Sequence, residues 1–196
     1  MVFRLQRWAK HVATFMAVCV GLLCWPSPVA PQAGVVDLDG KPSDPFQAGK
    51  GKLIVLVFVR ADCPIANRYA PLLQSLSEKF ADKAAFWLVY PSRKEAPETI
   101  REHDRNFGYT IPAVRDLKRT LVAQSRVQIT PEAAVFSSKR ELLYHGRVDN
   151  LYEDFGHARK SATTHELQEA IEAAISGNPP PTSSAPAVGC YISDLE

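Results

Sequence analysis

Two cysteines and one Thr-Pro pair carry the chemistry that this sequence can do. Cys63 stands in Arg60–Pro71, which reads Arg-Ala-Asp-Cys-Pro-Ile-Ala-Asn-Arg-Tyr-Ala-Pro. The unbroken apolar run Leu53–Val59 precedes it, bounded by Lys52 and Arg60. Such a run is most simply a strand buried on both faces. After it, Ile65, Tyr69, Leu72, Leu73, Leu76 and Phe80 recur at helical spacing. Pro64 suits the first helical position, so Cys63 falls at the N-cap, where unpaired N–H groups and the helix dipole favour negative charge. A thiol there ionises more readily than a free cysteine, and the thiolate is both nucleophile and metal ligand. A buried, inert cysteine is the plain alternative, and the strand-Cys-Pro-helix context favours the reactive one.

The second cysteine, Cys190, lies in Val188-Gly189-Cys190-Tyr191-Ile192 near the C-terminus. Residues 178–196 read as a proline-rich tether followed by this apolar segment: Asn178–Pro186 holds five Pro or Asn residues in nine, which makes a stiff extended connection. A solvated tail has no need of Val188, Cys190, Tyr191 and Ile192, whereas a docking segment does. The remaining cysteines, Cys19 and Cys24, belong to an N-terminal leader. Residues 1–33 carry Arg4, Arg7 and Lys10, then the apolar run Val12–Trp25 broken only by Thr14, then Pro- and Ala-rich residues. This is the pattern of an export signal. The run of 14 residues is short for a transmembrane helix, and an uncleaved anchor through residues 12–25 is the alternative to removal. Export to the periplasm, or to the periplasmic face of the inner membrane, puts Cys63 and Cys190 in an oxidising compartment, where an even pair is a candidate disulfide.

Charge excludes one large class of function. The whole chain has 23 basic and 21 acidic residues; without the leader's three basic residues the count is 20 against 21, or −1. That balance offers no footprint for nucleic acid, and no nucleic-acid-binding motif is present.

The Cys63 stretch resembles the thioredoxin-like redoxin superfamily. In those proteins a strand ends in Cys-x-x-Cys and an Ala-Pro follows, with the Pro eight residues after the first Cys; Cys63 and Ala70-Pro71 keep that spacing. The second cysteine of the pair is replaced by Ala66. Cys63–Asn67, which reads Cys-Pro-Ile-Ala-Asn, together with the later Val188-Gly189-Cys190, is similar to a bacterial redoxin-domain branch, and the likeness spans roughly residues 35 to 192. The resemblance implies an α/β domain over residues 35–177, a thioredoxin-like fold with a central mixed sheet and helices on both faces. It also implies that Cys190, if it reaches Cys63, takes the place of the resolving cysteine lost at Ala66. In the superfamily a cis-proline abuts the active cysteine, and Thr130-Pro131 matches it in sequence and order. Its use would be to present the backbone of Thr130 to an incoming chain.

The other elements follow from pattern. Val35–Gly51 reads as an extended lead-in with one short edge strand. Pro71 should kink the Cys63 helix. Ala84–Tyr90 is a second buried strand, Pro97–Phe107 a helix stopped by Gly108, with His103 read as a surface histidine. A short strand at Ile111–Val114, a helix at Leu117–Gln124, and strands Glu132–Ser137 and Leu142–Val148 joined by a turn come next. Asn150–Ser161 is a loop near the site. Thr163 and Glu166 form a capping box for a last helix ending at Gly177.

Three chemistries are compatible with these residues. In a thiol-disulfide oxidoreductase, Cys63 attacks and Cys190 resolves the mixed disulfide, on a protein or small-molecule thiol or disulfide, with no cofactor. A copper-binding or metallochaperone module would use both thiolates, with His145 or His157. A thiol peroxidase would also carry Pro64 after its cysteine, but with Thr or Ser where this chain has Arg60.

Overall fold

A computed structural model describes residues 34–192. Residues 1–33, the segment read above as an export signal or anchor and holding Cys19 and Cys24, lie outside the described residues, as do residues 193–196. Among the described residues, no helix is long and apolar enough to cross a membrane.

The architecture is set by one strand. Alternate side chains of Leu53–Phe58 enter two different cores: Val55 and Val57 pack with Ile65, Leu73, Ile100 and Leu167, whereas Ile54, Leu56 and Phe58 pack with Phe46, Leu121 and Ile192. Burial on both faces is why its sequence is an unbroken apolar run rather than an alternation. Each such side chain contributes roughly 1.5–3 kcal/mol of transfer free energy. Labelled in chain order, the strands of the main sheet are β1 (Val35–Val36), β2 (Leu53–Phe58), β3 (Ala84–Tyr90), β4 (Ala113–Asp116), β6 (Glu132–Phe136), β7 (Leu142–Gly146) and β10 (Ser184–Ala185). Their spatial order is β1-β4-β3-β2-β6-β7-β10. β2, β3 and β4 run parallel, β6 is antiparallel to β2 and to β7, and β10 lies parallel along β7. The sheet is therefore mixed. Helices α2 (Pro64–Arg68), α3 (Ala70–Lys79), α4 (Pro97–Phe107) and α6 (Glu166–Ile175) supply the first core, and α1 (Pro45–Ala48) and α5 (Thr120–Ser125) the second. Four strands lie outside the main sheet: β5 (Ile129–Thr130) pairs with β11 (Cys190–Tyr191), and β8 (Tyr152–Asp154) and β9 (His157–Ala158) form a small hairpin.

The structure departs from the sequence reading in several places, each with a local cause. The lead-in is not extended throughout, because Asp44 accepts the Phe46 N–H at 2.9 Å and Pro45 takes the first position of α1. β7 stops at Gly146, short of Val148; a Cβ at Gly146 would overlap the Ala185 carbonyl, so the strand ends where β10 crosses it closely. β10 itself belongs to the proline-rich stretch read as a tether. The capping box does not form. Asn150 Oδ1 instead accepts the N–H groups of Thr163 and Thr164, at 2.7 and 3.1 Å, and α6 starts later, at Glu166 with His165 as its N-cap.

Freed from capping, Glu166 turns to β7. Its carboxylate accepts from Arg147 Nε at 3.0 Å and from Thr164 Oγ1 at 2.7 Å, tying the start of α6 to the end of the strand. Burial pushes this carboxyl up, but the bonds from Arg147 and Thr164 prevail and hold it below the ordinary range. A depressed folded pKa contributes stability that is present above the unfolded value and lost as pH falls through the folded one. With Arg147 partly solvated, the pair is worth roughly 1 kcal/mol. Glu166→Gln should therefore lower the urea midpoint at pH 7, and its deficit against wild type should shrink as pH falls below about 4.3. A deficit that is constant with pH would show that the charge contributes nothing.

Candidate functional site

Cys63 reaches its position by the shortest route the chain allows. β2 ends at Phe58, a short loop turns, and Cys63, with φ −90° and ψ 107°, caps α2 while Pro64 opens it. Pro71 has no N–H to bond the turn before it, and the helix is divided at Tyr69 into α2 and α3. The Cys63 carbonyl accepts from Asn67 N at 3.0 Å, but its sulfur makes no cap bond. It donates instead to the Thr130 carbonyl, at 3.3 Å, and the residue is fully buried.

The Thr130–Pro131 peptide bond is cis. Thr130 is held from two sides. Glu132 accepts the N–H groups of Gln128 and Ile129, at 2.5 and 2.9 Å, which fixes β5 before the proline. On the other side β5 pairs with β11, antiparallel, with Cys190 opposite Thr130 and Tyr191 opposite Ile129. Thr130 Oγ1 donates to the Cys190 carbonyl at 3.3 Å, and Ile192 N donates to Gln128 O at 2.9 Å. The chain that pairs with Thr130 is thus the protein's own tail. Gly189 is the close contact: a Cβ there would overlap the Thr130 carbonyl. Ile192 is buried in the second core and Val188 packs on the first.

This docking brings the two sulfurs together. Cys190 Sγ donates to Cys63 Sγ at 3.1 Å, and both thiols are free. Burial, then the bond to Cys63, push the Cys190 thiol up to about 11; the nearby charges of Cys63 and Asp62 act in the same direction and Arg60 opposes them.

Support for the Cys63 loop comes from residues that the sequence reading missed or misplaced. Asn67 Nδ2 donates to Ala61 O at 3.0 Å, and Glu95 accepts the Ala61 N–H at 2.8 Å. His103, read as a surface residue, is buried. The cause is polar company inside: its Nε2 bonds Asn67 Oδ1 at 2.8 Å and its Nδ1 bonds the Tyr90 hydroxyl at 2.7 Å, while Tyr90 donates to Asp104 at 2.8 Å. A histidine with both ring nitrogens engaged can be buried without loss. The expected loop after Asn150 contains the β8–β9 hairpin, with Phe155 61% exposed at its tip beside the tail. His157 lies on β9 and His145 on β7. Among the described residues, no group of three or more His, Cys, Asp or Glu is placed to hold a metal ion.

Residues 51–142 match the family profile described as thioredoxin-like. Over this stretch, a little under half of the chain, the sequence is similar to the thioredoxin-like family, and the fold is thioredoxin-like. Solved structures agree on the fold. A hypothetical protein from Sinorhizobium meliloti superimposes with a TM-score of 0.67 at 21% identity, covering 81% of this chain and 88% of its own. An uncharacterized conserved protein from Geobacillus kaustophilus gives 0.68 at 18%, covering 84% and 91%. A secreted disulfide oxidoreductase from Mycobacterium tuberculosis gives 0.50 at 16%, covering 74% and 96%. A comparison with curated proteins finds no match. In this thioredoxin-like domain the helix position of the missing second cysteine, Ala66, is buried, and the sulfur facing Cys63 comes from the tail.

Gly189→Ala tests that docking. Overlap in a packed contact costs roughly 1–3 kcal/mol, which as an equilibrium shift is roughly 5- to 150-fold. Alkylation of Cys63 in the reduced Gly189→Ala protein should accelerate by a factor in that range over wild type. An unchanged rate would mean that the tail does not control access to Cys63.

Proposed function

We propose that this protein is an exported thiol-disulfide oxidoreductase whose redox pair is Cys63 and Cys190. The observation that carries the reading is the 3.1 Å approach of the two sulfurs across 127 residues of sequence, produced by strand pairing at Thr130 and not by a chance surface contact. A disulfide needs its sulfurs at about 2.0 Å, a movement within the reach of side-chain rotation. The pair then passes two electrons and two protons to a disulfide acceptor, which leaves as two thiols, while Cys63 and Cys190 become linked. No cofactor is required for that exchange, and the partner is a protein or small-molecule thiol or disulfide.

Thr130 and Pro131 act as positioning residues, aligning the tail so that Cys190 faces Cys63. The Mycobacterium tuberculosis structure of the same fold is a secreted disulfide oxidoreductase, which is consistent with this chemistry and with export. The leader at residues 1–33 supports delivery to the periplasm, either released or held at the inner membrane through residues 12–25. Copper binding through Cys63 and Cys190 lacks a third ligand among the described residues, and we keep the redox reading.

Oxidised wild type should yield a Cys63–Cys190 peptide on mapping, and its reduction potential should lie between roughly −270 and −120 mV, the range of exchanging pairs. Cys63→Ser and Cys190→Ser should each abolish multiple turnover with a disulfide substrate. A potential below about −300 mV would identify a structural bridge and overturn the catalytic reading.

A further inference from the structure

The order in which the two sulfurs meet a partner is not the one the family resemblance implies. Cys63 is fully buried; its thiol is directed to the Thr130 carbonyl, and the tail lies over it. Cys190 is only partly buried. It lines a cleft of about 560 Å³ together with the other residues of tail segment 187–191, Arg60, and Asp154 and Phe155 of the β8–β9 hairpin. A volume of this order suits a small molecule. The strand edge at Ile129–Thr130, where an extended polypeptide would add itself, is already taken by Cys190–Tyr191.

We infer that, in the oxidised protein, the sulfur attacked from outside is Cys190 Sγ, and that the attacking group is a low-molecular-weight thiol entering the cleft beside Phe155. This rests on the Cys63–Cys190 redox pair proposed above and adds the site, the order and the substrate class. The step balances. The incoming thiolate bonds to Cys190 Sγ, the Cys63–Cys190 bond breaks, and Cys63 leaves with the electron pair and takes up a proton, which it then donates to Thr130 O. A second molecule of the same thiol attacks the sulfur of the bound one, releasing the low-molecular-weight disulfide and restoring the Cys190 thiol. Two thiols are oxidised and one protein disulfide is reduced. Access decides the order, because thiol-disulfide exchange goes to the sulfur that the attacking thiolate can reach. As an attacker in the docked, reduced state Cys190 is weak, since its thiol is held neutral; as the attacked sulfur it is the open one.

The experiment uses the full chain in its oxidised form. Protein is mixed with less than one equivalent of 2-mercaptoethanol, quenched with acid and N-ethylmaleimide over a short time course, and mapped by mass spectrometry. The earliest adduct should be 2-mercaptoethanol on Cys190 with N-ethylmaleimide on Cys63. The reverse placement at the earliest times overturns the inference while leaving the redox pair intact. Absence of any Cys63–Cys190 linkage in the starting oxidised protein overturns the redox pair and this inference with it. A second measurement does not depend on trapping: with each single cysteine preloaded as its mixed disulfide with thionitrobenzoate, 2-mercaptoethanol should release thionitrobenzoate from Cys190 in Cys63→Ser at least about tenfold faster than from Cys63 in Cys190→Ser, because the protein sulfur is then the one attacked and must be reached. Equal rates, or a faster Cys63, would also overturn the order.

Discussion

The site hangs on the backbone of Thr130. Its carbonyl accepts the Cys63 thiol from beneath, and the same residue faces Cys190 across an antiparallel pair. Two sulfurs distant in sequence are therefore referenced to one peptide group, which Glu132 steadies by accepting two N–H groups of the residues before it. Loss of that reference would separate the sulfurs without touching either cysteine. The rest of the fold supplies rigidity for it. β2 carries Cys63 and β6 follows Pro131, and the two strands are neighbours over five paired positions from Ile54–Phe136 to Phe58–Glu132.

Because the second sulfur comes from a tail, the site differs in kind from one in which both sulfurs share a helix turn. A helix fixes its side chains by local hydrogen bonds, so a pair within one turn is always assembled. Here assembly is a docking equilibrium. It gains the burial of Ile192, worth roughly 1.5–3 kcal/mol, and a few hydrogen bonds of roughly 1 kcal/mol each. It loses backbone freedom of roughly 1–2 kcal/mol for every residue ordered. These terms oppose one another, and a covalent bond between the sulfurs would weight the docked side.

Much of this was legible in residue types. Leu53–Val59 announced a strand covered on both faces, Pro64 placed Cys63 at the helix start, and the apolar residues 188–192 gave the tail something to dock with. What escaped depends on partners remote in sequence. His103 shares a helix side with Ile100 and Phe107, a spacing that pointed inward, but its ring nitrogens could not be assigned partners from sequence: Asn67 and Tyr90 come from other elements, 36 and 13 residues away. The Thr163–Glu166 spacing satisfied a local capping rule, but Asn150 takes the Thr163 N–H that the box needs, and that of Thr164, from 13 and 14 residues back. β10 was hidden for a different reason. A proline-rich stretch has few N–H groups to offer a sheet, and only a two-residue segment between prolines, Ser184–Ala185, pairs with the edge of β7.

That small strand has an effect on the chemistry out of proportion to its size. It fixes the tail at Ala185, and Cys190 follows five residues later. At no more than about 3.6 Å per residue, an undocked Cys190 stays within roughly 18 Å of Ala185 while β10 remains paired. The released sulfur is therefore held at high effective concentration near Cys63, which is the condition for an intramolecular step to compete with free thiols. A longer free tail would present Cys190 more widely but return it more slowly. On the proposed redox reading, the anchoring at Ser184–Ala185 is what allows a sulfur carried by the tail to serve in place of a cysteine at Ala66, because it bounds how far that sulfur can stray.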